Sequence, residues 1–545
     1  MKRVCVVYLC CLALLLGACD DDESSEASNS SADSDAGLDA GDQDSATGGD
    51  SETEVDSAVG GDAEVASFAS ITALEAKTYA QVHNMSGLTF AADKIYGAGY
   101  SLTNADDPET VIMRFNADGT LDETFATGGV LQHNVVVGGA EEALAIVVLS
   151  DGEMVVGLNV DDGLGGEEIA DDNGGEAGQR PDGRDAVLVR FKTDGTLNAD
   201  FGDAGVLRLA LGWDSAADAN WPVPTYDTSM PEGEEWSGDG FPRDRLFDVL
   251  LDTTGEAERL VVFATGPAVY DAAAGESQRY DNDRYIVRLM ADGTVDSSFN
   301  GDGSAYSLDL GGALNDNGRR GWLESDGSIV SGGYTNLGGD ELHHVVLIRL
   351  LADGTPDPAF GFGLDPAIDG VAVFNPFKVD GGYSECYGVV MQSTGVYVTT
   401  GYGGATGAET ESTLGYQTTE AQDIVVFGLT GTGLASSFAT DGAAALQSEL
   451  VPGTPSNEDR GRALVVLPDD RTIHAGRFGG MPALGVMTPD GGLDSAQGQT
   501  GLFLYDEENI ESQFYAIAVS ADGTRVAATT DTDTDGVILA VLEIE

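Results

Sequence analysis

What most constrains this chain is that it repeats itself. A block spelled from Val111 to Phe125, with Arg114-Phe115, Asp118-Gly119-Thr120-Leu121-Asp122 and Phe125 as its marks, returns from Val187 to Phe201 with Arg190-Phe191, Asp194-Gly195 and Phe201. It returns again around Arg288, Asp292-Gly293 and Phe299, and around Arg349, Asp353-Gly354 and Phe360, with two degraded copies at Phe427–Phe438 and Val486–Gln497. Between these blocks lies a second one: a short apolar strand, a tight turn, and a β-rich strand ending in Gly. Its turns centre on Asp93-Lys94, Asp151-Gly152, Thr254-Gly255, Asp326-Gly327, Thr394-Gly395, Asp469-Asp470 and Asp522-Gly523, which makes seven. Self-similarity at a fixed spacing specifies a repeat architecture more firmly than local propensity does.

Each unit supplies a hairpin, a third strand ending in Arg-Phe or Arg-Leu, the Asp-Gly-Thr-Leu-Asp turn, and a fourth strand such as Val130–Val137. Four-stranded meanders in tandem predict an all-β, seven-bladed β-propeller over residues 67–545. A unit of roughly 60 to 75 residues is too long for one coil of a β-helix, and no helical period supports a helix-based solenoid. The spelling resembles the delta-60 repeat, a family of exported bacterial repeats with the pattern R-(F/L)-x-x-D-G-(T/S)-(L/V)-D-x-x-F-G-x-x-G. That resemblance implies exported β-proteins built from such repeats, with their biochemical role left open. The seventh unit stops after its third strand, Val537–Ile544. Ser67–His83, with Phe68, Ile71, Leu74 and Tyr79, is expected to supply the missing fourth strand and close the ring, leaving few exposed edges.

Repetition also assigns the repeated side chains. Arg114, Arg288 and Arg349 stand eight residues before Asp122, Asp296 and Asp357, and both members are lost together at Phe427 and Ala435, so they read as a charge pair bracing the turn. Asn198, and Val486 with Asp494, break that rule. A ring of ligand-binding arginines is the competing reading, although residues present in every blade usually serve the blade. The terminal Phe is expected to plug the space between sheets.

The first residues carry a different message. Lys2 and Arg3 precede an apolar run, Val4–Leu16, too short to span a bilayer, and Leu16-Gly17-Ala18-Cys19 resembles the lipobox of bacterial lipoproteins. Residues 1–18 then form a signal peptide, and Cys19 is the lipidated N-terminus of a protein anchored in the bilayer at the bacterial cell envelope. An ordinary secretory signal is the alternative. Residues 19–66 are expected to be a disordered tether: from Asp20 to Ala66 there are 16 acids and no Lys or Arg, so the segment cannot offset its chain entropy. Its reach is about 35 to 40 Å. The remainder carries a net charge of about −54, which argues against nucleic acid as a partner and is compatible with a monomer. With the signal removed and Cys19 acylated, only Cys386 is left, a buried structural thiol by its apolar setting.

Irregular insertions all fall after second and fourth strands, and hence on one face of the ring, where a site is expected. The longest holds Trp213, Trp221, Tyr226, Trp236 and Phe241, suited to stacking on sugar rings or to docking a protein, with mutual packing as a lid the rival account. Asp531, Asp533 and Asp535 with Gly536 match the first half of a calcium loop, but Leu539 and Leu542 stand where the second half needs ligands, so a solvated acidic turn competes with calcium there. No other cofactor is indicated. Five scattered histidines form no metalloprotease motif, and there is no nucleophile elbow or phosphate loop. The leading expectation is a binding or scaffolding propeller for a protein or glycan, rather than an enzyme. An envelope hydrolase or lyase acting on polysaccharide is the first rival, and a cation-stabilised structural protein the second. Two facing carboxylates at the axis would favour the enzyme, and an aromatic platform would favour binding.

Overall fold

The computed structural model describes residues 68–545 apart from 81, 102–107, 136–139, 162–167, 170–177, 180–183, 210, 212, 215–243, 268, 271–281, 302, 304, 311–315, 337–342, 365, 376–382, 405–421, 447–458, 506–511 and 532–535. Strands dominate, and they group as the repeats foretell. Blade 1 comprises Asn84–Ala91, Lys94–Ser101, Glu109–Asn116 and Val130–His133, and blade 2 comprises Ala140–Val148, Met154–Asp161, Arg184–Phe191 and Val206–Leu209. Blade 3 is Arg245–Asp252, Arg259–Pro267, Asn282–Met290 and Tyr306–Leu308; blade 4 is Asp316–Leu323, Ile329–Asn336, His343–Leu350 and Val371–Phe374. Blade 5 is Tyr383–Met391, Tyr397–Gly404, Asp423–Thr430 and Ala443–Leu446; blade 6 is Arg460–Val466, Thr472–Phe478, Met481–Met487 and Leu502–Leu504. Blade 7 has Gln513–Val519, Arg525–Asp531 and Val537–Ile544.

All pairings within these meanders are antiparallel. The first strand of each blade packs on the first strand of the next, and that of blade 7 packs on that of blade 1. The molecule is therefore a seven-bladed propeller with its first strands innermost. Because blades stack face against face, central strands are covered on both sides and read as continuous apolar runs. Val111, Ile112 and Met113 are fully buried, as are Val187, Leu188 and Val189. The fourth strand of blade 1 ends at His133, shorter than the Val130–Val137 expected; at the rim only one face has a neighbouring strand to hold it.

Ile71–Ala73 pairs with Leu542–Ile544, and Lys77–Tyr79 pairs with Val537–Leu539, both on the outer side of the third strand of blade 7. The same segment reaches the neighbouring blades. Ile71 N–H donates to Gln497 Oε1 at 2.9 Å in blade 6, while Lys77 Nζ and the Tyr79 hydroxyl donate to the carbonyls of Asp118 and Gly119 in blade 1, at 2.9 and 2.5 Å.

The repeated block acts as a latch between blades. The guanidinium of Arg288 donates from Nε to Asp296 at 2.7 Å and from Nη1 to the carbonyl of Ala352, in the next blade, at 2.5 Å; it also lies 4.7 Å from the centroid of Phe299. Arg114 bonds Asp122 at 3.0 Å, and Arg349 bonds Asp357 and Glu324. The two exceptions in the sequence are compensated. Where Asn198 replaces the acid, Arg190 turns to Glu153 and Asp151; where Val486 replaces the arginine, Arg471 from the adjacent hairpin reaches Asp494. Phe201, Phe299 and Phe438 are buried against the Asp-Gly turn of the following blade, so a Cβ at Gly293, Gly354 or Gly491 would meet the ring within 3.0 Å; these glycines also hold φ between 84° and 87°. Asp118, Asp194, Asp292 and Asp353 each accept from the hydroxyl and N–H of the Thr two residues on, which lowers the pKa of each carboxyl.

Candidate functional site

The innermost strand of every blade carries a β-bulge at the same place. Register breaks between Asn84 and Gly87, Ala143 and Ala145, Leu246 and Asp248, Gly318 and Gly321, Cys386 and Gly388, Gly461 and Ala463, and Phe514 and Ala516. A bulge adds a residue on one strand, sharpens the local twist and re-aims a side chain. It also explains the Gly that ends the second strand. In blades 1, 4, 5 and 6 the carbonyls of Asn84, Asn317, Glu385 and Arg460 come within 1.5 to 2.1 Å of where a Cβ would stand on Gly99, Gly333, Gly401 and Gly476.

From blade 3 to blade 7 the bulged residues alternate in kind: Phe247, Arg319, Tyr387, Arg462, Tyr515. They form a ladder of rings and guanidinium groups. Arg319 lies 4.7 Å from the centroids of both Phe247 and Tyr387, and Arg462 lies 4.8 Å from Tyr387 and 5.4 Å from Tyr515. Desolvated pairs of this kind attract by about 2 kcal/mol. Polar contacts fix the ladder, with Arg319 Nη2 donating to the Tyr334 hydroxyl at 2.9 Å and Arg462 Nε to Gln513 Oε1 at 2.8 Å. Arg320, the second residue of the bulge in blade 4, donates from Nη2 to the carbonyls of Ser86 in blade 1 and Tyr515 in blade 7, at 3.0 and 3.2 Å. Those blades stand opposite blade 4 in a ring of seven, so this side chain crosses the axis.

Toward the loop-bearing face, the ladder continues into a second tier between blades 4, 5 and 6. His343 stacks on Tyr334, with centroids 4.8 Å apart, and its Nδ1 meets Glu385 Oε1. The hydroxyls of Tyr387 and Tyr402 are 3.1 Å apart, Gln422 donates to the Tyr383 hydroxyl at 2.9 Å, and Arg460 donates to Gln422 at 2.8 Å. Burial holds the Tyr402 hydroxyl protonated, well above its ordinary range. Asp248 accepts from the N–H groups of Val249 and Gly321, and its burial raises its pKa, a rise opposed first by the charge of Arg320. Guanidinium groups and rings thus occupy the axis, and the carboxyls nearest to them are engaged by backbone N–H groups or by His343.

One other cluster could hold a divalent cation. Asp283, Asp309 and Asp316, at the junction of blades 3 and 4, have carboxyl oxygens within 4.8 Å of one another. Asp316 is buried, accepts from Leu310 N–H at 2.7 Å, and burial pushes its pKa up to about 6. Arg284, buried beside it, turns its Nη atoms to the carbonyls of Ser331, Gly332 and Val346.

The sequence-predicted residues fall mostly elsewhere. Trp213 lies in the two-residue strand Trp213–Asp214, which pairs parallel with Val269–Tyr270, so two of the long insertions start side by side. Trp221, Tyr226, Trp236 and Phe241 lie outside the described residues, as do Cys19, Asp533 and Asp535. Asp531 ends the second strand of blade 7 and pairs with Gln513 and Asn84. Cys386 is buried, and burial pushes its thiol up to about 12, as a structural thiol requires. No motif scan would find the ladder, since it is written in alternation at one repeat position. The Gly opposite the bulge in the second strands of blades 1, 4, 5 and 6 was its available trace.

Comparison with curated proteins finds no match. Among solved structures, a protein of unknown function from Dyadobacter fermentans is similar at 11% identity, over 88% of this chain and 99% of that one, with a TM-score of 0.38. The β-propeller domain of the Trilobed protease from Pyrococcus furiosus is similar at 7% identity, over 84% and 94% of the two chains, with a TM-score of 0.36. Three segments, residues 92–125, 273–299 and 324–360, match the family model described as a domain of unknown function (DUF5122) beta-propeller, and each ends at or beside the Phe of the repeated block.

Proposed function

We propose that this protein is a lipid-anchored binding or scaffolding propeller of the delta-60 type at the bacterial cell envelope, its ligand a protein or a glycan. The observation that carries the reading is the axis. A site for acid/base hydrolysis needs carboxyl groups facing each other across the substrate, whereas here rings and guanidinium groups fill the equivalent positions of five consecutive blades. Ile368 is the only large hydrophobic residue more than a third exposed among the described residues, so recognition falls to polar groups and to the long insertions rather than to an apolar face. The lipobox-like Cys19 and the acidic stretch after it support an anchor that fixes location and leaves orientation loose.

The test is a glycan array and an envelope-protein capture with the full chain, repeated with Trp221→Ala/Trp236→Ala. Retention of a ligand by the parent and a tenfold or greater loss in the double variant are expected. A double variant that binds like the parent sinks the aromatic insertion as the contact surface.

A further inference from the structure

We propose that the junction of blades 3 and 4 is a calcium site, with Asp283, Asp309 and Asp316 as its carboxylate ligands and the Thr335 hydroxyl beside them. The carboxyl oxygens lie within 4.8 Å of one another, a spread that one ion with ligands at about 2.3 to 2.6 Å can span. Asp283, Asp316 and Thr335 are each no more than 2% exposed, while Asp309 is exposed and reaches solvent. Two buried oxygens at this corner have no hydrogen-bond partner among the described residues: Asp316 Oδ1 and Thr335 Oγ1. Asp316 and Thr335 are cross-strand partners, and the Thr335 hydroxyl faces the carboxyl closely enough to favour its ionised form without bonding to it. Burying such oxygens unpaired is costly, and a hard cation satisfies both.

The junction of blades 2 and 3 shows the same corner meeting its charge from the chain itself. Asp185 and Asp283 each stand five residues before a repeat arginine, Arg190 and Arg288. Asp244 and Asp316 each accept from the N–H two residues past the preceding fourth strand, at Leu211 and Leu310. The two pairs of acids are therefore equivalent. At the first junction Arg208, in the fourth strand of blade 2, is ion-paired with Asp185. Arg208 faces Val187, and the matching residue of blade 3, facing Tyr285, is Ser307. Blade 3 thus lacks that cation and adds a third carboxylate, Asp309, instead. Arg284 does not take the place of Arg208, because its Nη atoms donate to the Ser331 hydroxyl and to the carbonyls of Ser331, Gly332 and Val346. Three carboxylates and this one guanidinium leave two negative charges, which one divalent ion cancels. The donors are all oxygen, which suits calcium rather than zinc, and an irregular set of side chains suits calcium better than magnesium, which demands a near-ideal octahedron.

The experiment is calorimetric titration of the full chain, stripped with EGTA, with calcium chloride in about 0.15 M potassium chloride, where diffuse binding to surface acids is screened. One saturable calcium site is expected, with magnesium at least tenfold weaker. Asp309→Asn should weaken it tenfold or more. Glu123→Gln, at an exposed acid of blade 1, and Asp533→Asn, in the acidic segment after Asp531, should leave it unchanged. Ser307→Arg, at an exposed position, gives this junction the cation that blade 2 carries. It should abolish the site, raise the thermal midpoint of the stripped protein, and remove the further rise that calcium gives the parent. Absence of a saturable site, equal affinity for magnesium, an unchanged Asp309→Asn, loss of the site in Asp533→Asn, or a calcium-dependent rise that persists in Ser307→Arg would each overturn the assignment.

Discussion

The ring–guanidinium ladder can be weighed directly by breaking one rung. Arg462 is buried, within 4.8 Å of Tyr387, 5.4 Å of Tyr515 and 5.7 Å of Tyr402, and bonded to Gln513. Replacing it by Met keeps the stem volume but removes three cation–π contacts and a charge-assisted hydrogen bond, together roughly 3 to 6 kcal/mol gross. Against this, Met also abolishes the cost of burying a guanidinium, which is of similar size, so the single variant says little by itself. A double-mutant cycle isolates the rung. Arg462→Met combined with Tyr387→Leu should show a coupling of about 1 to 2 kcal/mol, because the pair is desolvated. Tyr387→Phe, which keeps a ring, should retain most of that coupling. Arg462→Met combined with Phe299→Leu, at the opposite face, should be additive within about 0.5 kcal/mol. Urea unfolding followed by tryptophan fluorescence supplies the free energies. A coupling below about 0.5 kcal/mol for Arg462 and Tyr387 would refute the ladder as an energetic unit.

Three further outcomes follow from the geometry. Deleting residues 67–79 strips the outer pairing from Val537–Ile544, with the buried Ile71 and the bonds to Gln497, Asp118 and Gly119, and should cost on the order of 5 kcal/mol; thermal unfolding at the parent temperature would disprove the closure. Asp316 has a folded pKa raised to about 6, so its stabilising protonated form is complete below about 4 and lost as pH rises through 6. Asp316→Asn cannot ionise, and its stability relative to the parent should therefore improve by up to about 3 kcal/mol between pH 4 and pH 7.5, an advantage that disappears in calcium if the Asp283–Asp309–Asp316 cluster holds the ion. Cys19→Ser should abolish palmitate incorporation and move the protein from the membrane to the soluble fraction; unchanged fractionation would dispose of the anchor.

The blade count, the turns and the latch were legible in the sequence because each is encoded locally. An Asp-Gly-Thr turn needs a carboxylate and a positive φ within three residues, and an Arg eight positions before an Asp meets it across one turn, so recurrence exposes both. Only the tertiary structure could settle the rest. Arg190 and Asp494 looked unpartnered along the chain, and found Glu153 and Arg471 because hairpin turns bring other strands to the same corner. Asp283 and Asp316 belong to different blades and meet only where those blades adjoin. Phe247, Arg319, Tyr387, Arg462 and Tyr515 differ from copy to copy, so comparing the repeats reads their position as unconserved. Closing the ring turns that position toward one axis, and there the differences between neighbours, cation beside ring, become the contacts. Similarity within a chain reports what each blade needs for itself, whereas what the blades do together at the centre is written in how they differ.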